Sequence, residues 1–166
     1  MFILDNLNNP GLTIQGNRWQ FFTDGVMGGK SSGKVIIDNI GGNKCYRMTG
    51  NVTTENNGGF IQIRSILNPP IKINNYEGIY LKVFGNNNKY FLHLRTPFTM
   101  APWQYYSFSF QATNEWVEIK APFVKFKKSN FYQPEKLLNQ NITSIGLVAG
   151  FENYQADICL AEIGFY

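Results

Sequence analysis

The chain carries one histidine, His93, and two cysteines, Cys45 and Cys159, so few groups are available for acid–base, nucleophilic or metal chemistry. A serine hydrolase would place its nucleophile in G-x-S-x-G, and no serine here has that setting. Paired acid–base carboxylates are not identifiable by spacing either. The sequence therefore offers no catalytic residue and reads as a non-enzyme. Three scattered Cys and His residues fall short of the four ligands of a structural zinc site. Calcium wants six to eight oxygens, whereas Asp5, Asp24, Asp38, Glu55, Glu77 and Glu115 are dispersed along the chain. Neither a metal nor a cofactor is expected. Each cysteine sits in an alternating apolar segment, which favours buried free thiols in a reducing compartment. A bridge would require the two strands to be neighbours.

The densest cluster of special residues runs from Asp24 to Gly33 (DGVMGGKSSG). Gly-rich backbone can cradle phosphate where it leads into a helix N-terminus. No helical pattern follows Gly33, and GxxxxGK[ST] does not fit in register. The favoured reading is structural: Asp24 bonding nearby N–H groups as an Asx turn, Gly28 and Gly29 allowing positive φ or close packing, and Met27 plugging into the core. Parity along strands gives the candidate binding residues. On Lys89 to Thr96, Tyr90, Leu92 and Leu94 share one face, and Phe91, His93 and Arg95 share the other. On Gly59 to Ile66, Ile61 and Ile63 oppose Phe60, Gln62 and Arg64. With the apolar sets inward, Arg64, His93, Arg95, Trp103 and Tyr105 mark an outer sheet face. Arg forks suit carboxylates or sugar hydroxyls there, and aromatic rings suit sugars or apolar partner residues. Lys120 to Lys128 (KAPFVKFKK) mixes lysines with Phe123 and Phe126. That mixture could follow nucleic acid, but it reads better as a loop anchored by its phenylalanines.

Alternating strands would have to position these groups. The 166 residues are 43% hydrophobic and 16% aromatic but only 16% charged, which supports one packed domain over residues 1–166 and excludes disorder. The net charge of +4 is too mild for a dedicated nucleic-acid binder. Strand patterns recur at Lys34–Ile37, Lys44–Val52, Gly59–Ile66, Gly78–Phe84, Lys89–Thr96, Gln104–Gln111, Trp116–Lys120, Ile142–Ala149 and Asp157–Tyr166. About nine short strands with turns between them predict an all-β sandwich or barrel. Asn57-Gly58, Gly85 to Asn88 and Thr113 to Glu115 read as tight hairpin turns. Only Pro134 to Asn139 could form a short helix. No stretch approaches the ~18 apolar residues of a membrane span. The start Met1-Phe2-Ile3-Leu4-Asp5 lacks the marks of a secretory signal. A cytoplasmic site is expected, or a mitochondrial one for a processed eukaryotic chain.

Trp19, then Asp24, Gly25, Val26, Met27, Gly28, Gly29, Ser31 and Gly33, then Gly58, Gly59, Phe60 and Arg64 together resemble the thirty-kilodalton complex I intermediate-associated protein family. Tyr90, Arg95, Tyr105, Phe108, Trp116, Pro122, Phe126 and Ile145-Gly146 follow in family-like order, so the resemblance spans nearly the whole chain. Gln155-Ala156-Asp157 departs from the family's Gly-Phe lead into the last strand. The sequence also reads as the bare domain, without the long N-terminal extension of the mitochondrial members. The resemblance implies a galactose-binding-like jelly-roll β-sandwich. It also implies a non-catalytic factor in assembly of respiratory NADH:ubiquinone oxidoreductase, with a respiratory-complex subunit or assembly intermediate as protein partner. A lectin-like module binding a glycan is the alternative, and RNA binding ranks third.

Overall fold

Apolar–polar alternation builds extended backbone along most of the chain. The computed structural model describes residues 1–137 and 140–166. Its strands are Phe2–Asp5 (β1), Gln20–Thr23 (β2), Ser32–Ile40 (β3), Asn43–Val52 (β4), Phe60–Lys72 (β5), Gly78–Phe84 (β6), Asn88–Arg95 (β7), Tyr106–Ala112 (β8), Val117–Pro122 (β9), Lys127–Lys128 (β10), Asn141–Gly150 (β11) and Tyr154–Phe165 (β12). The nine expected strands are all present. The three additional ones, β1, β2 and β10, are too short to show a period.

Two antiparallel sheets face each other. The first runs β3-β4-β12-β6-β9, with β1 also on β12, and the second runs β10-β8-β7-β11-β5-β2. This is the all-β jelly-roll sandwich. Met48, Leu81, Ile158 and Leu160 of the first sheet and Ile61, Ile63, Leu92, Leu94 and Leu147 of the second belong to one buried cluster. Truncating such a side chain to alanine costs about 2–5 kcal/mol, because lost transfer energy adds to an unfilled cavity. Tyr90 fastens the sheets polar end to polar end: its hydroxyl donates to Asn86 Oδ1 (2.6 Å) and accepts from the Asp157 amide (2.9 Å).

The connections differ from the hairpins expected. Asn57-Gly58, Gly85 to Asn88 and Thr113 to Glu115 each carry the chain from one sheet to the other. Gly58 has φ −84°, and the left-handed residues beside it are Asn56 (φ 55°) and Gly59 (φ 130°). Asn and Gly there do reverse the chain, but the inward faces of the flanking strands send it across the core. The tight hairpin is β3–β4, where Gly41 (φ 58°) and Gly42 (φ 84°) form the two-residue turn that needs positive φ twice. Residues 134–137 are not helical, and Leu138 and Asn139 of the same expected helix lie outside the described residues.

The thiol expectation is corrected as well. Cys45 and Cys159 form a disulfide, with Cα atoms 5.5 Å apart. The strands β4 and β12 are direct neighbours, with Cys159 opposite Arg47, so the condition for a bridge is met. Both cysteines are outward by parity from Tyr46, Met48 and Ile158, yet both are buried.

Candidate functional site

Arg64, Gly146, His93, Ser107 and Lys127 stand side by side across five strands of the second sheet, with Gln20 at the far end opposite Arg64. Directly opposed residues of antiparallel strands share a face, and here it is the outer one, because Ile63, Leu147 and Leu92 alternate with them into the core. Gly146 lowers the middle of this row. A Cβ on it would come within 3.0 Å of Gln62 Oε1. The result is a small depression of about 40 Å³ lined by Gln62, Arg64, His93, Arg95, Pro102, Tyr105, Ser144 and Gly146.

His93 stacks on Tyr105, with centroids 4.0 Å apart and planes 18° apart, and Phe151 stands 6.1 Å away. Desolvation pushes its imidazole down to about 3, so the ring is neutral at physiological pH. Its Nε2 is shut off from solvent and has no hydrogen-bond partner among the described residues, and the same holds for Ser144 Oγ. Unpaired buried polar atoms are uncommon in folded proteins and call for a reason. Burial also raises the Tyr105 hydroxyl. Arg64 lies over the Phe22 ring at 4.6 Å. Arg95 is used differently: its Nη2 donates to the carbonyls of Thr99 (2.9 Å) and Ala101 (2.8 Å), fixing the loop from β7 to β8. Desolvation, and secondly the charge of Arg64, hold its guanidinium below the ordinary value.

Four of the five residues read from the sequence as a binding face, Arg64, His93, Arg95 and Tyr105, thus meet in one depression. Trp103 does not line it. Its ring is exposed on the β7–β8 loop, and its carbonyl accepts from Ser129 Oγ (2.7 Å). Parity on β11 could have added Ser144 and Gly146, since Ile145 and Leu147 are the inward set. Phe151 had no strand pattern to reveal it. Its φ of 70° is a strained conformation for a bulky residue, costing on the order of 1–3 kcal/mol, and it brings the ring against Phe91 (5.0 Å, 89°) beside His93.

The glycine-rich segment is an interior lock at another place. Asp24 is fully buried and accepts from Ser31 Oγ (2.6 Å) and from the amides of Ser31, Gly59 and Phe60. Desolvation pulls its carboxyl up, but these bonds together outweigh it and hold it below the ordinary range. Gly29 and Gly58 leave room for that carboxylate: a Cβ on either would collide with the Asp24 side chain, and one on Gly33 would collide with the Thr49 carbonyl. Gly25 donates its amide to Thr23 Oγ1, and Gly28 (φ 82°) ends the short 3₁₀ turn Asp24–Met27. Met27 is no core plug. It is 60% exposed beside exposed Val26, because the turn spends its inward position on Asp24. Trp19 belongs to a second lock, its Nε1 donating to Asp5 Oδ2 (2.7 Å), which also accepts from Tyr46 Oη (2.6 Å).

Two other places compare poorly with the depression. An open groove of about 490 Å³ between residues 51–55 and 153–155 is larger, but its Asn153 carboxamide is already bonded to Thr54 and none of its lining atoms is buried without a partner. In Lys120 to Lys128, Phe123 and Phe126 are buried in the core, so neither ring is free to stack on a base. Among the described residues no group of three or more His, Cys, Asp or Glu could hold a metal ion, and no helix is long and apolar enough to cross a membrane.

The architecture has solved counterparts. The family 11 carbohydrate-binding module of a cellulosomal cellulase, Lic26A-Cel5E of Clostridium thermocellum, is similar with a TM-score of 0.75 at 17% identity, over 97% of this chain and 91% of that one. The Clostridium thermocellum family 11 module in complex with a β-1,3-1,4-mixed-linked tetrasaccharide gives 0.70 at 18%, over 98% and 92%. A family 30 carbohydrate-binding module gives 0.56 at 12%, over 83% and 92%. At such identities the likeness is one of fold. No curated protein sequence matches the chain. The family model for complex I intermediate-associated protein 30 matches residues 10–161, a span that takes in both buried carboxylate locks' partners, the glycine-rich turn and every residue of the depression, and the chain belongs to that family.

Proposed function

We propose that this protein is a non-catalytic protein-binding module whose outer second-sheet face engages a subunit or assembly intermediate of respiratory NADH:ubiquinone oxidoreductase. Family membership supports the choice of partner. The face is supported by one observation above all: Arg64, His93 and Ser144 meet in one depression, and His93 Nε2 and Ser144 Oγ have no hydrogen-bond partner among the described residues. A neutral histidine with no carboxylate to orient it is poorly equipped as a general base and well equipped as a fixed donor or acceptor. Interfaces concentrate their energy in a few Arg and aromatic anchors, and Arg64 with Phe22 and His93 with Tyr105 provide such anchors. The bridged cysteines remove the thiol argument for a reducing compartment, so location follows the partner.

A pull-down from native lysate with the intact chain tests this reading. Wild-type protein is expected to retrieve subunits of the complex, and Arg64→Ala to lose most of that capture. Capture equal for the two proteins would overturn the assignment of the face. Glycan binding is the second reading, favoured by the fold shared with a module solved around a mixed-linked tetrasaccharide. Saturable binding of that tetrasaccharide, with no subunit retrieved, would replace the first reading by the second.

A further inference from the structure

The depression has a chemical preference that its geometry defines. Its lining includes two guanidinium groups, from Arg64 and Arg95, and no carboxylate. The four elements that form it, β5, β7, β11 and the β7–β8 loop, contribute no acidic side chain to the lining. The Arg64 side chain makes no ion pair or hydrogen bond among the described residues. Its ring contact is with Phe22, at 4.6 Å from the guanidinium carbon to the ring centroid, and a guanidinium with no hydrogen-bond partner has its N–H fork to offer a planar two-oxygen acceptor. The same depression is lined by two residues with a buried polar atom that has no hydrogen-bond partner among the described residues, His93 (Nε2) and Ser144 (Oγ). A neutral imidazole has one N–H to give and a serine hydroxyl has another. The volume of about 40 Å³ exceeds the roughly 10–15 Å³ that seats a water, yet it is far below the ~300 Å³ of a pocket that encloses a drug-sized ligand or sugar ring. It has room for the end of a side chain.

We propose that this depression receives a single carboxylate, the Asp or Glu side chain of a protein partner, with the Arg64 fork taking the two oxygens and His93 and Ser144 donating from the floor. The proposal rests on the protein-binding reading of this face and adds the chemistry of its central contact. An anion placed there satisfies both orphan groups at once and offsets the repulsion between the two guanidiniums. A neutral sugar hydroxyl would leave that repulsion standing. The surroundings favour a protein as the source: Ile66 (59% exposed), opposite Ser144, and Phe98 and Met100 on the β7–β8 loop offer apolar contact next to the charge, the pairing of charged centre and apolar flank that a protein surface supplies.

His93 is the only histidine, so its imidazole resonances report on the site without overlap. The intact protein is titrated at constant ionic strength with N-acetylglutamic acid α-amide, with its uncharged counterpart N-acetylglutaminamide, and with glucuronic acid. Saturable shifts of the His93 signals by the glutamic acid derivative in the millimolar range are expected, at least about tenfold weaker for the glutamine derivative and in Arg64→Gln. Arg64→Lys should recover part of the loss. Equal response to the acid and the amide, or a response that never saturates, overturns the carboxylate. Glucuronic acid binding more tightly than the glutamic acid derivative overturns the protein source. An unchanged amide spectrum of Arg64→Gln away from the site shows that the variant is folded. The two proposals fail separately. Subunit capture that depends on Arg64 without any carboxylate response sinks this inference alone. A carboxylate response without Arg64-dependent capture sinks the proposed function and leaves the carboxylate site standing.

Discussion

Two buried carboxylates carry more of this structure than any other polar side chains. Asp24 stands at the junction of the glycine-rich turn, the start of β3 and the start of β5, and it accepts four hydrogen bonds from three separate residues beyond its own turn. Asparagine in its place would present an NH₂ to groups that are themselves donors. Asp24→Asn is therefore expected to lower stability by about 2–3 kcal/mol in chemical denaturation, in line with charge-assisted bonds to a buried group. The pH response follows from the sign of the shift. A carboxyl lowered in the folded state contributes stability above its unfolded value of 3.8 and loses it as pH falls through the folded value. Wild-type protein should thus lose stability on acidification below pH 3.8 more steeply than Asp24→Asn does, and equal slopes in acid melting curves would contradict this account. The glycines around Asp24 made a structural role legible, but its bonds are not the Asx turn expected there: its donors Ser31, Gly59 and Phe60 lie 7, 35 and 36 residues away. The role of Asp5 was not legible, because its side-chain donors Trp19 and Tyr46 lie 14 and 41 residues away and only the Leu7 amide is local.

At the scale of elements, alternation identified strands and told their two faces apart. That was enough to put Arg64, His93 and Arg95 on outer faces; Tyr105, grouped with them by residue type, joins them in the depression, and Trp103, grouped the same way, does not. It could not say which sheet a strand joins. Turn chemistry is local, and Asn-rich connections such as Gly85 to Asn88 serve a crossover as readily as a hairpin. The Asn87 backbone, at φ 67°, satisfies either. Arg95 shows another limit: parity placed it correctly, while its hydrogen bonds to Thr99 and Ala101 depend on how the β7–β8 loop folds back. That loop is further stitched to the segment after β10 by Ser129 and Gln133, both of which bond Tyr105. Arg95→Ala is expected to leave the sandwich folded and to speed amide hydrogen exchange of residues 96–105 by about tenfold or more, as a lost anchor of 1.4 kcal/mol or above implies. Exchange unchanged in that loop would show that the Ser129 and Gln133 contacts suffice without Arg95.

Taken whole, the molecule is a sandwich cross-linked across one of its sheets. The Cys45–Cys159 bridge closes a separation of 114 residues, and loops of that order lose about 4–5 kcal/mol of unfolded-state freedom when closed. Cys45→Ser, or reduction before denaturation, should therefore lower the unfolding free energy by a few kcal/mol. Alkylation of the denatured, unreduced protein should find no free thiol. Two reactive thiols, or a midpoint unmoved by reductant, would refute the cross-link. The sequence pointed to free thiols instead, because the bridge depends on β4 and β12 being neighbours, a relation across more than a hundred residues that no local pattern carries.

The strand β12 lies at the middle of the first sheet, with β4 on one side, β6 on the other and β1 joined to it as well. Without it, β3–β4 and β6–β9 are separate ribbons and β1 has nothing to pair with. A ribosome adding residues from the N-terminus must therefore release residues 154–165 before the first sheet exists at all. Until then β4 and β6 lack the strand that joins them, and unpaired apolar strands of this kind are prone to aggregate. A chain that stops before residue 154 is therefore expected to aggregate on expression, and recovery of that truncated chain as a folded, soluble monomer would contradict this account.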